Sequence, residues 1–510
     1  MESTRHFLRS CLQFLETKAT LLVILMIVVF SVLYSALSVL HHMHFLSGGF
    51  DQGIFDQAVW QYAHFLFPYN TIKEKFILAD HLTLTLPLLA PLLWIWDDVR
   101  ILLVTQAVWV SVSAFPVYLY LQKRSFTKLQ SLGLSFVYLL FYGMQYLVYF
   151  DFHSVFIAVG LMPWVLYFWE TRRWRLFAIS AGLLLLTQEN MGLALFALCL
   201  LWFFQGKARR KQIYIIAAIS LVYTAIAFFA IHLISGGNLQ YVPHFPKTIS
   251  GYVTQFFDVQ DKRDVWLFSF SWYSFLPLLS PGALLAVISD LSQYFITGAA
   301  YNHTWSPYLH HRAILSLYLL VGTADVLLFI KKRISPSIIV TLLVLVAIFC
   351  QFHYHFALNK LVKKDYDMSA PWMSDNYDML LRVPKDASVV AQQSLVPHLS
   401  HRQYIYLAYP RQHQFVKTQV ACVSYPCWWI DFVGRPKYLV VDTHPGVWLT
   451  MTLAPENEFR EAIDNMIRNN VLTLYYQKNA ASIYMINYPK LNRILGKHLA
   501  AGPQDATMAE

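Results

Sequence analysis

The sequence predicts an α-helical protein that crosses a membrane many times and carries a small α/β domain outside it. Three observations lead there. Of 510 residues, 57% are hydrophobic and only 13% are charged, against roughly 25% charged in ordinary soluble domains. Up to about residue 355, long apolar runs alternate with short basic clusters, as spans alternate with cytoplasmic loops. Beyond that point the apolar runs shorten and alternate, as strands do. The formal net charge of +10 does not point to nucleic acid, because the basic residues sit in the clusters instead of along one stripe.

The first apolar run, Leu21 to Leu40, is uncharged. It exceeds a signal-peptide core of roughly 7–15 residues, so it reads as a retained anchor. Residues 1–20 before it are expected in the cytoplasm, with Thr4 to Lys18 as an amphipathic surface helix. Further spans are expected at 101–121, 132–150, 155–170, 176–187, 191–204, 212–234, 265–279, 282–297, 313–330 and 336–355. That makes about eleven, several of them short for a straight crossing. Leu82 to Trp96 is apolar but short and contains Pro87 and Pro91. It reads as a juxtamembrane or re-entrant helix, which leaves a long first outer loop at 41–100. The stretch 176–204 is broken by Gln188-Glu189-Asn190. One continuous helix would place Glu189 at mid-membrane, so a hairpin of two short helices is expected.

The clusters Lys123/Arg124/Lys128, Arg172/Arg173/Arg175, Lys207/Arg209/Arg210/Lys211 and Lys331/Lys332/Arg333 all fall on one side in this scheme. The N-terminus is therefore expected inside and the C-terminal domain outside. Residues 21–355 form the expected transmembrane domain and 356–501 the α/β domain, followed by a disordered tail at 502–510. Within the α/β domain, strands are expected at Ser388 to Gln392, Tyr404 to Leu407, Tyr438 to Asp442, Leu472 to Gln477 and Ser482 to Asn487. A polar helix is expected at Glu456 to Asn469. Cys422 and Cys427 close a short loop in an oxidising compartment, which predicts a disulfide, with two free thiols as the alternative.

Polar residues gather at one face. Asp51, Asp56, Asp80, His81, Asp151, His153 and Glu189 all fall at outer loops or outer helix ends, as do His303, His310, His311 and Arg312. A polar cavity opening outward gathers groups this way. Asp51 lies in Phe50-Asp51-Gln52-Gly53-Ile54-Phe55-Asp56-Gln57, directly after the first span. A charge held near lipid usually has a function, and Asp51 reads as a general base or, equally simply, as a helix N-cap. Asp56, five residues on, points about 140° away on a helix, so the two acids do not form one paired site. Asp80-His81 and Asp151-x-His153 suit a divalent metal or interfacial hydrogen bonding. Glu189 calls for a cationic or polar partner. His303 and His310-His311-Arg312 suit an anionic phosphate or a lipid headgroup. No Walker loop, dinucleotide glycine motif or nucleophile elbow is present in the sequence.

Several stretches together resemble a numbered family of multi-pass bacterial and archaeal membrane proteins of unknown function, grouped with the GT-C glycosyltransferases. They are Phe50 to Trp60, Asp80-His81 with Pro87 and Pro91, Asp151-Phe152-His153, Gln188-Glu189-Asn190, Phe275 to Pro281, and Val396-Pro397-His398-Leu399-Ser400-x-Arg402. The resemblance implies a GT-C-like membrane domain acting on a polyprenyl-phosphate-linked sugar at the outer face of the cytoplasmic membrane. It implies Asp51 as the catalytic acid beyond the first span and Asp151 as the second acid. Asp56, Asp80, His81, His153, Glu189, His303, His310, His311 and Arg312 are then candidates for binding substrate or phosphate. A complete metal motif does not align, so a divalent metal is compatible with the sequence without being required. Two other classes compete, a transporter or lipid flippase and a non-catalytic envelope assembly factor. The first predicts an internal repeat with a site at mid-membrane, and the sequence shows no such repeat.

The expected orientation is directly testable. Alkaline-phosphatase fusions after residue 365 should be active in a bacterial host, and fusions after residue 128 inactive. Activity at 128 would mean that 82–96 crosses the membrane.

Overall fold

The computed structural model describes residues 2–237, 244–363, 366, 370–408, 432, 434–447, 449 and 456–499. Cys422, Cys427 and the 502–510 tail lie outside the described residues. The chain opens with one unbroken helix, α1 (Glu2–Met43), so no break separates the expected surface segment from the first span. A five-residue π-helical turn, Gly49–Gly53, leads into α2 (Ile54–Ala63). Two short strands follow, β1 (Tyr69–Asn70) and β2 (Lys75–Phe76), paired antiparallel. The proline-containing apolar segment folds as a short 3₁₀ turn, Leu86–Leu89, and then α3 (Ala90–Ile95).

The helical region continues through α4 (Arg100–Val112), α5 (Ala114–Lys123), α6 (Lys128–Leu140), α7 (Tyr142–Tyr149) and α8 (Val155–Glu170). It goes on through α9 (Trp174–Leu185), α10 (Met191–Gln205), α11 (Arg210–Ile234), α12 (Ile249–Gln255), α13 (Gln260–Ser271) and α14 (Pro281–Phe295). It ends with α15 (Leu315–Ile330), α16 (Pro336–His353) and α17 (Asn359–Val362). Among the described residues, five stretches are long and apolar enough to cross a membrane: Gln13–Met43, Arg100–Lys123, Arg210–Ile234, Tyr301–Ile330 and Pro336–His353. A sixth is α6 with α7, bent by 46°. Of the other expected spans, 155–170, 176–187 and 191–204 form shorter apolar helices, 265–279 falls on the end of α13 and the 3₁₀ turn Leu276–Leu279, and 282–297 on α14. Glu189 and Asn190 do sit at a turn between two of them, α9 and α10.

Residues 1–41, 78–92 and 100–366 form one compact unit, and 42–77, 93–99 and 367–510 form a second. In the first unit, helix ends are held by named polar contacts. Thr127 and Gln130 make a reciprocal capping box at the start of α6. The Glu16 carboxylate accepts the N–H groups of Lys128 and Leu129 at 2.6 and 3.0 Å, where the helix dipole favours negative charge. Asp325, on α15, receives Arg124 at 2.9 Å and Gln205 at 3.2 Å. The break between α6 and α7 falls at Phe141, whose ψ of 134° is not helical. Gly143 follows it because the backbone of Arg312 passes there. A Cβ at 143 would lie 2.5 Å from the Arg312 carbonyl oxygen.

The second unit contains a five-stranded sheet ordered β4-β3-β5-β7-β6. The strands are β3 (Val389–Ala391), β4 (Ile405–Leu407), β5 (Tyr438–Asp442), β6 (Leu472–Lys478) and β7 (Ala481–Ile486). β3 pairs parallel with both β4 and β5, and β7 pairs antiparallel with β5 and β6. Helices α18 (Pro371–Leu380), α19 (Glu456–Arg468) and α20 (Tyr488–Leu499) complete it. Phe459, Ala462, Ile463 and Met466 recur at helical spacing along α19 and enter the core over Leu439 and Val441. These strands and α19 fall within a residue or two of the sequence expectation.

The 42–77 segment docks on this sheet. Thr71 Oγ1 donates to the Ile405 carbonyl and accepts the Ile405 N–H at 3.0 Å, covering the edge strand β4. Gln57 donates to Thr71 Oγ1 and the Gln403 carbonyl at 2.8 and 3.0 Å. The Gly49 N–H donates to the Gln393 carbonyl at 2.9 Å. Gly53 packs so closely that a Cβ would lie 2.9 Å from Val396 Cγ1.

The α7 approach gives a stability prediction. Gly143→Ala forces the fixed Arg312 backbone to move, at a cost of about 1–3 kcal/mol. Gly182→Ala, in α9 with nothing within 4 Å of the new Cβ, should be neutral or stabilising by up to about 1 kcal/mol. Thermal melts of the purified variants check both.

Candidate functional site

In the first unit the structure brings together most of the predicted polar residues. Glu189 finds the partner its position demands. Its Oε1 lies 2.8 Å from His81 Nδ1, and its Oε2 accepts the Leu82 N–H at 3.1 Å. Gln188 also reaches His81, at 3.2 Å, and Asn190 donates to Gln293 at 3.1 Å. His153 stacks on His310 with ring centroids 3.5 Å apart, and His310 meets His311 at 3.9 Å. His311 stacks in turn on Tyr294. His81 lies within electrostatic reach of both His310 and His311.

Arg312 closes this row. It is fully buried, with its guanidinium over the rings of Tyr294 and Phe295 at 5.2 and 5.5 Å. Its Nε donates to the Ser306 carbonyl at 3.3 Å and its Nη2 to the Thr304 carbonyl. Its Nη1 is enclosed without a partner. Asp80 and Asp151 are buried. Asp151 has a left-handed backbone, φ 62°, a conformation that Asp tolerates better than most residues. Gln106 holds that turn by donating to the Asp151 carbonyl at 2.9 Å and accepting the His153 N–H at 3.0 Å. His303 is exposed on the Ala299–Trp305 turn. Among the described residues, no group of three or more His, Cys, Asp or Glu side chains is placed to hold a metal.

Two features of this unit were not anticipated. Lys262 is buried and donates to the Gln255 and Phe295 carbonyls at 2.8 and 3.2 Å. It also pairs with Asp258 at 2.9 Å and sits 4.0 Å from the Trp305 ring. Beside it, α12, α13 and α14 border an apolar cavity of about 700 Å³, lined by Tyr252, Phe256, Phe257, Trp266, Phe270 and Leu278 among others.

In the second unit, Asp51 lies within the π-helical turn and is half-buried. It is not an N-cap, since Gly48 holds that position for the turn and Gly53 for α2. π-helical turns are rare and, as bulges within α-helices, occur frequently at functional sites. Asp56 is fully buried. It accepts from Ser400 Oγ at 2.5 Å, and its Oδ1 lies 3.2 Å from His401 Nε2. His401 Nδ1 lies 2.7 Å from Asp97. An imidazole with a carboxylate at each nitrogen is held as the doubly protonated cation. Burial opposes that charge, but Asp56 and then Asp97 outweigh it and carry the His401 pKa up to about 10. The hydrogen bond from His401 in turn holds Asp97 below the usual carboxylate range. His401 and Asp97 were not singled out from the sequence. His401 stands at the open position of the Ser400-x-Arg402 motif, and Asp97 opens the acidic pair that ends the proline-containing segment.

Comparison with known proteins bears on both units. The chain belongs to the DUF2079 family, described as predicted membrane proteins, whose profile matches residues 41–431. Among curated proteins, none matches the sequence significantly. Among solved structures, the chain is similar to ArnT from Cupriavidus metallidurans bound to undecaprenyl phosphate. The TM-score is 0.52 at 12% identity, covering 95% of this chain and 100% of that one. The likeness shows the GT-C-like membrane fold.

The His401 pair sets a pH dependence. Its folded value lies above the unfolded one of about 6.5. The stabilisation is therefore fully present below about pH 6.5 and is lost as pH rises through about 10. The melting temperature of wild type minus His401→Gln should be largest near pH 6 and shrink steadily toward pH 10.

Proposed function

We propose that this protein is a membrane-embedded glycosyltransferase that moves a sugar from a polyprenyl-phosphate donor to an acceptor hydroxyl on the outer face of the cytoplasmic membrane. The observation that supports it most is the gathering of His81, His153, Glu189, His310, His311 and Arg312 in a fold shared with a protein solved with undecaprenyl phosphate. The residues present suit the two ends of such a lipid. Arg312 supplies a charge fixed by backbone carbonyls, and the imidazoles beside it add donors for phosphate oxygens. The cavity bordered by α12, α13 and α14 offers an aromatic, apolar surface for an isoprenoid chain.

The reaction is a single displacement at the anomeric carbon with inversion. The acceptor hydroxyl forms the new glycosidic bond as the bond to phosphate oxygen breaks. The hydroxyl proton passes to Asp51, the proposed base, and polyprenyl phosphate leaves with the electron pair of the broken bond. Positive charge at Arg312 favours that leaving group. Asp151 is the proposed second acid. Glu189, through His81, is a positioning residue. Asp56 is assigned to docking, because both of its oxygens are engaged by Ser400 and His401.

Replacing Asp51 by Asn keeps shape and removes the proton acceptor, and general-base catalysis contributes about 10²–10⁴-fold. Asp51→Asn should melt like wild type, retain binding of undecaprenyl phosphate, and transfer sugar at least about a hundredfold more slowly. Asp56→Asn should instead lower the melting temperature. Near-normal transfer by Asp51→Asn would remove Asp51 from the mechanism.

A further inference from the structure

Asp290 has no part in the arrangement above. It lies on α14 with 2% of its surface exposed. It joins no hydrogen bond or ion pair among the described residues, and its Oδ2 is enclosed without a partner. Tyr294 stands one helical turn further along and therefore on the same face. The Arg312 guanidinium lies over the Tyr294 ring, and its charge acts on Asp290. The two groups form no ion pair with each other among the described residues.

Each of them has one enclosed atom unsatisfied, Asp290 Oδ2 and Arg312 Nη1. The rest of the guanidinium is held on the Thr304 and Ser306 carbonyls, so Arg312 cannot swing over to the acid without giving up those bonds. Leaving a buried carboxylate and a buried guanidinium unmatched is costly. A group that accepts from Nη1 and donates to Oδ2 satisfies both at once. A phosphate oxygen only accepts, and an ammonium only donates. A hydroxyl does both. Asn190 adds a third group. Its amide donates to Gln293 at 3.1 Å and also meets the Tyr294 hydroxyl, while its Oδ1 is enclosed without a partner and can accept from a second hydroxyl. Asn190, Gln293, Tyr294 and His311 are each only half-buried, so the buried pair is bordered by groups that solvent reaches. A carboxylate, an amide oxygen and a guanidinium beside a tyrosine ring form a donor and acceptor set suited to adjacent hydroxyls of a pyranose or furanose.

We propose that Asp290, Arg312 Nη1 and Asn190 form a hydroxyl-recognition subsite for the sugar carried by the lipid donor. This rests on the reading of the protein as a polyprenyl-phosphate-dependent transferase. It adds that the sugar itself, and not only the phosphate and tail, is recognised in the first unit. One hydroxyl bridges Arg312 to Asp290, and its neighbour donates to Asn190.

The test uses the full-length protein in lipid nanodiscs and two kinds of probe: undecaprenyl phosphate, and undecaprenyl phosphate carrying glucose, mannose, galactose or arabinose. At least one glycolipid should bind wild type at least about tenfold more tightly than the bare lipid phosphate, as expected for a hydrogen bond to a charged group. Asp290→Asn should abolish that advantage and leave binding of bare undecaprenyl phosphate within about twofold. Asn190→Ala should reduce the advantage without touching the buried charges, and it carries the test if Asp290→Asn does not fold. Retention of the full advantage by both variants overturns the proposal. So does an equal loss of both kinds of probe together with a lowered melting temperature, which marks Asp290 as structural. If no glycolipid outbinds the bare lipid, the subsite falls while polyprenyl-phosphate binding stands. If neither kind of probe binds wild type, both readings fall.

Discussion

A carboxyl group with no exposed surface is costly to bury unless something pairs with it. Asp56 is such a group, and its partners come from the far end of the chain, Ser400 and His401, 344 and 345 positions later. That contact explains much of the second unit. It fixes α2 against the sheet, and α2 carries the π-helical turn at its start. Thr71 on the edge strand and Gly53 against Val396 add a hydrogen-bonded and a close-packed contact along the same seam. Asp51 is therefore held in a turn pinned on both sides. Such a setting gives a half-buried acid a defined position, as a group acting at a reacting atom requires.

The first unit answers the same constraint with different residues. Apolar surroundings make every unmatched polar atom costly, and the helices are short. The longest of the sub-span helices is α8 at 16 residues, roughly 24 Å at the usual rise, less than the hydrocarbon core of about 30 Å. Short helices bring many termini and turns to the ends of the bundle. Polar side chains meet there: Glu189 with His81 and the Leu82 N–H, Gln106 with the Asp151 turn, Arg312 with the Ser306 and Thr304 carbonyls. The clustering of acids and histidines thus follows in part from where short helices end. What exceeds that need is the row of stacked rings from His153 to Tyr294, with Arg312 beside it.

The sequence discloses local features well and long-range pairings poorly. Tyr438–Asp442 is legible because a run of β-branched and apolar residues bounded by Pro436 and Pro445 fits a buried strand and little else. The turn at Glu189 is legible because an acid between apolar runs has few tolerable places. The identity of its partner is not, since nothing local to His81 specifies residue 189. Asp56 and Asp51 look alike in the sequence, and only the residues brought from 400 and 401 show which one is engaged in docking. His401 has no local signature, since its partners Asp56 and Asp97 lie more than 300 residues away in the sequence. Asp290 escaped because it stands alone in an apolar run, away from the loops where the other acids gather. Helix length was also hidden. Apolar runs read as spans where the chain breaks into shorter helices, and the break at Phe141 stands two residues before Gly143, where the Arg312 backbone passes, a contact with no sequence signature.

The acids on helices α14 and α15, Asp290 buried and Asp325 half-buried, show how partners separate structural from functional charge. Asp325 meets Arg124 and Gln205, and Arg124 also donates to Tyr120 at 2.8 Å. With a guanidinium and an amide bonded to it, that carboxylate is accounted for by the fold. Asp290 lies near an arginine as well, yet that arginine is turned toward backbone carbonyls. Replacing a poorly paired buried charge by an apolar residue of similar volume is commonly neutral or stabilising. An enclosed carboxylate oxygen without a bonded partner calls for one that the described residues do not supply. The contrast with Asp325 turns the missing hydrogen bond at Asp290 into an argument about ligand chemistry, and the fixed Arg312 beside it narrows that chemistry to a group that both gives and accepts a hydrogen bond.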